Sequence, residues 1–514
     1  MSFNSLYFIL IFLPAVLLLY YLAAAERAEA ADWILVGASA VFYGFANAWY
    51  PLLLGILLAV NWGITLRIRK RRAAPVGQEY PAARRWMVFG VIFNVAVLAV
   101  FKYANFFIEN LNALLQSDWP LVNLILPLGI SFIIFGQISW IVDAYRGSTE
   151  DVCLREYVLF SSFFPKLSQG PITLARDFIP QLRKEGRQRF SYEGMMIGIQ
   201  MFVLGLGKKI LIADVLGTAV DWYFDTITFR TNLDSLIVVL TYTLQIYFDF
   251  SGYSDMALGV SKMLGFDLPA NFDSPYKACT VTEFWKRWHI SLTTFLREYI
   301  YFPLGGSRKG AARTYRNVMI VYLISGFWHG ASWTYVLWGI VHGAAQCAER
   351  ALGQFYGSVL KPAAERLTPA GSEAGTGRFC RRVWKCVRWG ITFAFVNLAW
   401  MLFRCGDLAT WKRFWWHLTV DRVGTISPDL AENYRISGLR LVCSLLHLPT
   451  GDAFVNLLSM GILLAAGVLM CLLLPNNQRR RYRSSVLSLL VTAGLLAVCL
   501  LSMSSVSSFV YNDF

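Results

Sequence analysis

Apolar runs of about 17 to 25 residues recur along the chain, the length that crosses the ~30 Å hydrocarbon core of a bilayer. The first covers Leu6–Ala25. Trp33–Asn47 and Pro51–Leu66 form a tight pair around Ala48, Trp49 and Tyr50, and Trp86–Ile108 and Leu121–Ala144 follow. Tyr157–Leu167 is too short to span and reads as re-entrant or interfacial. Gly194–Ala219 and Asn232–Phe250 are full length, whereas Asn317–Ile324 and Ala331–Ala344 are short. Trp389–Phe403, Ala453–Leu474 and Val486–Val510 complete a series of roughly 11 to 13 segments, some incomplete. The pattern predicts an all-α, polytopic integral membrane protein. With no basic residue before Leu6, the first run reads as a retained span rather than a cleaved signal.

Polar positions between the runs set the orientation. Arg67, Arg69, Lys70, Arg71, Arg72, Arg84 and Arg85 share one loop. Arg479, Arg480, Arg481 and Arg483 share another, and Lys361–Arg388 is a third basic stretch. Basic loops stay in the cytoplasm. Three spans precede Arg67 and one follows Arg483, which places both termini outside. The net charge of +15 is thereby accounted for without nucleic acid, because no basic groove with interleaved aromatics exists outside these loops. Apolar residues make up 56% of the 514 positions and charged residues 15%, against ~25% in soluble domains. The nine cysteines form no CxxC pair, and several lie in apolar runs, which suits buried packing rather than a disulfide or zinc framework.

The stretch from Asp249 to Gly330 breaks the pattern. It combines dense aromatics with Arg, Lys, Asp and two of the five histidines. Thr282–Leu304 reads as an amphipathic helix, with Phe284, Trp288, Leu292, Phe295 and Tyr299 at three-to-four spacing. Polar or irregular backbone at membrane depth survives only where protein buries it or it lines a wet cavity, so a functional site is expected here.

His329 lies in Gly326-Phe327-Trp328-His329-Gly330, where aromatic walls would favour a neutral imidazole able to act as a general base. A structural histidine bonded between helices fits the same spacing. His289 closes Phe284-Trp285-Lys286-Arg287-Trp288-His289 and fits an interfacial helix position equally well. His342, thirteen residues after His329, suits packing, with a pair with His329 as the other reading. No HExxH, GxSxG, GxxxxGK[ST] or GxGxxG occurs, so neither a metal nor a bound cofactor is expected. Lys208 and Lys209 fall inside an apolar run with Asp214, and Asp249 and Asp255 flank Ser251-Gly252-Tyr253. Charges at membrane depth face a cavity or a partner, so these residues fit either ion pairs or a basic cavity for phosphates.

Several blocks in order resemble the membrane-bound O-acyltransferase family, and more narrowly its bacterial alginate O-acetylation branch. They are Pro127-Leu128-Gly129-Ile130-Ser131-Phe132, Phe164-Pro165-Lys166 to Gly170-Pro171-Ile172, and Gly207-Lys208-Lys209 to Asp214. Tyr247-Phe248-Asp249-Phe250-Ser251-Gly252-Tyr253-Ser254-Asp255, Asn271-Phe272-Asp273-Ser274-Pro275-Tyr276, Phe284 to Leu292, Tyr301 to Gly306, and Gly326 to Gly330 follow. The resemblance runs from about Tyr7 to Phe514, is densest from Pro127 to His342, and loosens after Gly353. It implies a ring of tilted helices around a tunnel, with N-terminal helices over 1–120, a catalytic core over 121–350 and C-terminal helices with a basic loop over 351–514. It implies that His329 is the catalytic histidine and His289 the second motif position. Lys208, Lys209, Asp249, Asp255, Trp285 and Trp328 are then candidates for substrate binding.

The implied activity moves an acetyl group from cytoplasmic acetyl-CoA, as a substrate, through the bacterial inner membrane for O-acetylation of a polysaccharide. A separate periplasmic or extracellular SGNH-type acetyltransferase would receive the group. Alginate, cellulose and peptidoglycan remain open as acceptors, with a D-alanyl route to teichoic acid behind them. The alternative is a transporter or flippase of a lipid-linked or polar substrate, which broken helices and buried charges also suit.

Overall fold

The computed structural model describes residues 1–72, 80–227, 230–356, 376–420, 424–436, 438–477, 482, 485–503 and 509, with backbone alone for 376–381. Arg479, Arg480, Arg481 and Arg483, the Lys361 end of the third basic stretch and the end of the last predicted run lie outside them. The described residues are helical and form no strand. The principal helices are α1 (Tyr7–Glu26), α2 (Ala28–Gly44), α3 (Tyr50–Arg72), α4 (Pro81–Leu115), α5 (Ile130–Arg146), α6 (Leu154–Ser162), α7 (Ala175–Leu182), α8 (Tyr192–Asp225) and α9 (Asn232–Met263). After them come α10 (Val281–Arg287), α11 (Ile290–Leu296), α12 (Ala311–His329), α13 (Trp333–Phe355), α14 (Thr376–Arg404), α15 (Leu408–Thr419), α16 (Asp452–Leu473) and α17 (Val486–Ser502). Among the described residues seven helices are long and apolar enough to cross a bilayer: α1, α3, α4, α8, α9, α14 and α16. The protein is therefore an all-α, multi-pass membrane protein, as the apolar pattern predicts.

The chain packs as two compact units that are discontinuous in sequence. The first comprises Met1–Leu211, Asp249–Ala270 and Arg480–Phe514, and the second Ile212–Phe248 and Asn271–Arg479.

In the first unit α1 divides its faces sharply. Phe8 and Tyr20 are fully buried, while Leu10, Ile11, Leu18 and Leu22 are exposed, the division expected of a helix with one side in lipid. The predicted run Leu121–Ala144 is corrected: α5 begins only at Ile130. Pro127 lacks a backbone donor, and Gly129 takes φ +69 directly against the backbone of Ser168, where a Cβ would lie 2.6 Å from its Cα. The short run near Tyr157 folds as a hairpin of α6 and α7. Arg183 after α7 holds Glu156 at 2.6 and 2.8 Å and also bonds Asp151, so the segment starts and ends at one level. Arg69, at the end of α3, donates to Val152 and Thr149 carbonyls, which puts that level on the side of the first basic loop. Helices α8 and α9 meet through Gly205 and Gly252, each leaving room only for the other's carbonyl, at 2.6 and 2.8 Å from a would-be Cβ.

Two corrections place the break in the pattern further along than expected. Helix α9 continues past Phe250 for 13 residues to Met263, so the Ser251-Gly252-Tyr253 block is helical. Thr282–Leu304 is not one amphipathic helix. It splits into α10 and α11 at Trp288 and His289, and a π-helical turn follows at Arg297–Tyr301. The two short segments after Asn317 are in fact long helices, α12 of 19 residues and α13 of 23, in which Asn317, His329 and His342 are buried.

Candidate functional site

The histidines gather in the second unit. α12 ends on His329, and Gly330 carries the chain in extended conformation into the Ser332 cap of α13. Gly326 and Gly339 bring the two helices together: a Cβ on Gly326 would lie 3.1 Å from the Gly339 Cα and would overlap the Tyr335 carbonyl. The turn is tied to the end of α14, because Thr334 donates to the Cys405 carbonyl at 3.0 Å and Ser332 to the Gly406 carbonyl at 2.8 Å. His329 is 3% exposed. Its ring centroid is 4.9 Å from Trp328, 5.1 Å from Trp338 and 4.9 Å from Phe403.

His289 occupies the break between α10 and α11 with φ +45, a conformation an L residue with a Cβ adopts at a cost of ~1–2 kcal/mol. What holds it there is Asn271. The Asn271 carbonyl accepts from Ile290 N at 3.0 Å, and its side-chain oxygen accepts from the Ser291 hydroxyl at 2.6 Å. The same oxygen lies 3.3 Å from His289 Nδ1. An amide oxygen only accepts, so Nδ1 carries the proton, and the neutral ring offers Nε2 as an acceptor. His289 is 1% exposed, and its ring lies 6.2 Å from Trp328, the indole that also flanks His329. The structure thus brings His289, Trp328 and His329 together.

Trp285 sits on α10 and donates its indole N–H to His342 Nδ1 at 3.2 Å. That bond fixes the His342 proton on Nε2. Trp338 contacts His329 on one side and His342 on the other, at 5.1 and 4.7 Å, so His342 belongs to the same aromatic cluster rather than to remote packing. The sequence reading leaves Asn271, Trp338, Trp400 and Phe403 without a role. Gly339 facing Gly326 was the available signal, since it seats Trp338 beside the α12 terminus.

The four charged candidates lie in the first unit. Lys208 pairs with Asp255 at 2.6 Å and Lys209 with Asp249 at 2.7 Å. Both members of the second pair are 2% exposed. Each cation faces a carboxylate, so the quartet carries no net charge. The first unit also holds a cavity with about 30 Å³ of room, lined by Phe132, Gln137, Phe160, Lys166, Gly170 and Thr173 at the tip of the α6–α7 hairpin. The Lys166 ammonium lies 3.7 Å from the centre of the Phe160 ring.

Comparison with known proteins adds an independent line. Residues 100–367 match the membrane-bound O-acyltransferase family. The chain is 37% identical to a peptidoglycan O-acetyltransferase of Helicobacter pylori over 79% of its own length and 77% of that protein's. It is 38% identical to the probable alginate O-acetylase AlgI of Pseudomonas aeruginosa, over 80% of its own length and 74% of that protein's. A teichoic acid D-alanyltransferase of Bacillus subtilis is 30% identical over 44% of the chain and 60% of that protein. The family match spans His289 and His329, and with the relatives' coverage it makes this chain an O-acyltransferase belonging to the membrane-bound O-acyltransferase family.

Proposed function

We propose that the protein takes an acetyl group from acetyl-CoA on the cytoplasmic side of the bacterial inner membrane and delivers it across for O-acetylation of a cell-surface or exported polysaccharide. The observation that carries this reading is the pair of buried histidines sharing Trp328 at the end of α12. The names of the relatives support acetyl and polysaccharide as group and destination. CoA itself carries charged phosphates and does not cross a bilayer, so the acetyl group must change carriers on the way. An SGNH-type acetyltransferase outside the membrane is the partner that would pass it to the polymer.

In this mechanism His329 removes the proton of the acceptor hydroxyl. The hydroxyl oxygen forms a bond to the thioester carbonyl carbon, the C–S bond breaks, and the CoA sulfur leaves with the proton held by His329. His289, held by Asn271 and sharing Trp328 with His329, is suited to position the acyl group beside the base. Lys208, Lys209, Asp249 and Asp255 act as matched ion pairs rather than as a phosphate site.

Detergent-purified protein given [14C]acetyl-CoA, deacetylated polymer and the partner enzyme tests the reading. Wild type releases CoA and labels the acceptor, and His329→Ala reduces turnover by about 10²–10⁴-fold at unchanged folding. Full activity of His329→Ala sinks the mechanism. An inert wild type that carries an unacetylated substrate across vesicles brings the transporter forward.

A further inference from the structure

Acyl transfer needs hydrogen-bond donors aimed at the carbonyl oxygen, which gains negative charge as the hydroxyl attacks. Neither histidine of the proposed mechanism supplies one: His329 must be a base, and His289 presents an acceptor at Nε2. The donors have to come from elsewhere around His329.

Three buried donors in this cluster have no acceptor among the described residues. They are Nε1 of Trp338, Nε1 of Trp400 and Nε2 of His342. The three rings are at most 1% exposed. They belong to one cluster, with Trp338 4.7 Å from His342 and 6.1 Å from Trp400. The bond from Trp285 fixes the His342 proton on Nε2, so that atom is a donor as well. A buried N–H without an acceptor costs ~1–3 kcal/mol, and three in one cluster are a concentration that packing alone gives no reason to keep. Trp338 is the donor nearest the chemistry, because its ring makes an edge contact with His329 at 5.1 Å and its helix is locked to α12 by Gly339 on Gly326. A ligand oxygen beside His329 is the acceptor this arrangement requires.

We infer that the indole N–H of Trp338, backed by that of Trp400, donates a hydrogen bond to the acyl carbonyl oxygen of the donor thioester and stabilises it as charge develops. This rests on the acyl-transfer reading above. Electron flow is unchanged. The hydroxyl oxygen bonds to the carbonyl carbon and the carbonyl π pair moves onto the oxygen facing Trp338. The pair returns as the C–S bond breaks, and the proton on His329 leaves with sulfur. Trp338 gives up no proton.

The test replaces Trp338 with 3-benzothienylalanine, which keeps the bicyclic shape and lacks the N–H. Trp338→Phe is the companion variant, and Trp400 is exchanged in the same way. Isotope-edited infrared spectra of [1-13C]acetyl-CoA bound to the purified protein report the carbonyl directly. With wild type the thioester carbonyl band falls in frequency relative to free acetyl-CoA. In the Trp338 analogue it returns towards the free value, and kcat drops about 10²-fold while KM stays within about twofold. An analogue with the wild-type band and wild-type kcat overturns the inference and leaves the role of His329 standing. Loss of the band shift in the Trp400 analogue alone also overturns the assignment to Trp338. Failure of wild type to bind acetyl-CoA removes the donor reading and this inference together, an outcome the wild-type spectrum separates from the others.

Discussion

The Lys209–Asp249 pair gives a direct way to separate a structural ion pair from a substrate ligand. The charges are 2.7 Å apart and both side chains are 2% exposed, with the Lys209 ammonium 4.5 Å from the Phe509 ring. Removing one partner of so buried a pair leaves an uncompensated charge, a loss of about 3–5 kcal/mol. Removing both leaves apolar surface in an apolar setting, which is near neutral. Lys209→Met and Asp249→Leu should each destabilise the protein by about 3–5 kcal/mol, and the double variant by less than about 2, a coupling of several kcal/mol. Denaturant titration of the protein in mixed micelles, followed by tryptophan fluorescence, measures all four corners of the cycle. If the residues instead served to hold phosphates, the single variants would keep their stability and raise KM for acetyl-CoA. Single losses below about 1 kcal/mol, or strict additivity, would refute the argument from burial.

Other consequences follow from the same geometry. His289→Asn suits φ +45 and keeps a donor for the Asn271 oxygen, so it should be the least destabilising exchange, whereas His289→Gly relieves the strain but empties a site that is 1% exposed and should cost a net ~1–3 kcal/mol, and His289→Val, which keeps the strain and loses the bond, at least as much in a melting experiment. Activity should fall in all three. Gly326→Ala drives a Cβ into the Tyr335 carbonyl and should cost about 1–3 kcal/mol by overpacking, with loss of turnover even where the protein still purifies. Asp407 caps α15, accepting from Thr410 N at 2.8 Å, so Asp407→Ala should lower stability by about 0.5–2 kcal/mol. The Arg183 hydrogen bond holds the Asp151 carboxyl below its usual range. Its contribution is therefore full above the unfolded value near ~4 and is lost as pH falls through the lower folded value, so protection from proteolysis between Asp151 and Arg183 should weaken only below about pH 4. Unchanged cleavage down to pH 3 would show that the clamp carries no weight.

The apolar runs located the spanning helices, with ends up to 13 residues away, because a lipid-facing helix announces itself by length and hydropathy alone. They misread the segments whose helices carry charged and polar residues along an otherwise apolar length. α12 and α13 carry Arg313, Arg316, Asn317 and Gln346 as well as His329 and His342, so no long apolar window exists although the backbone is continuous. The error at Thr282–Leu304 was of the opposite kind. The three-to-four periodicity of Phe284, Trp288 and Leu292 is real, and all three are buried. It persists across a break because α10 and α11 both press on the same core, while Asn271, distant in sequence, supplies the bonds that stabilise the left-handed turn at His289. Composition showed that His329 had aromatic neighbours. It could not show that the decisive ones, Trp338 and Phe403, come from α13 and α14, because those contacts arise only when Gly339 meets Gly326 and Thr334 ties the turn to Cys405.

That left-handed residue also explains why the second histidine should be hard to replace by anything but a residue with a short polar side chain. A helix running unbroken from Val281 would turn position 289 by about 400° from position 285, placing it one turn above Trp285 on the face that packs against Trp338 and His342. The break instead redirects the chain, so that Nδ1 meets Asn271 and the ring reaches within 6.2 Å of Trp328. The strain at φ +45 is thus the means by which two histidines on separate helices come to share one indole. Only Asn, Asp and Gly adopt that φ readily, and of these only Asn retains both a donor for the Asn271 oxygen and an acceptor towards the site. His289→Asn should therefore be the substitution that keeps the most turnover, and a far lower kcat in folded His289→Gly would separate the work of the side chain from that of the backbone. A Gly variant as active as the Asn variant would mean that the turn alone matters and that the imidazole has no part in positioning the acyl group.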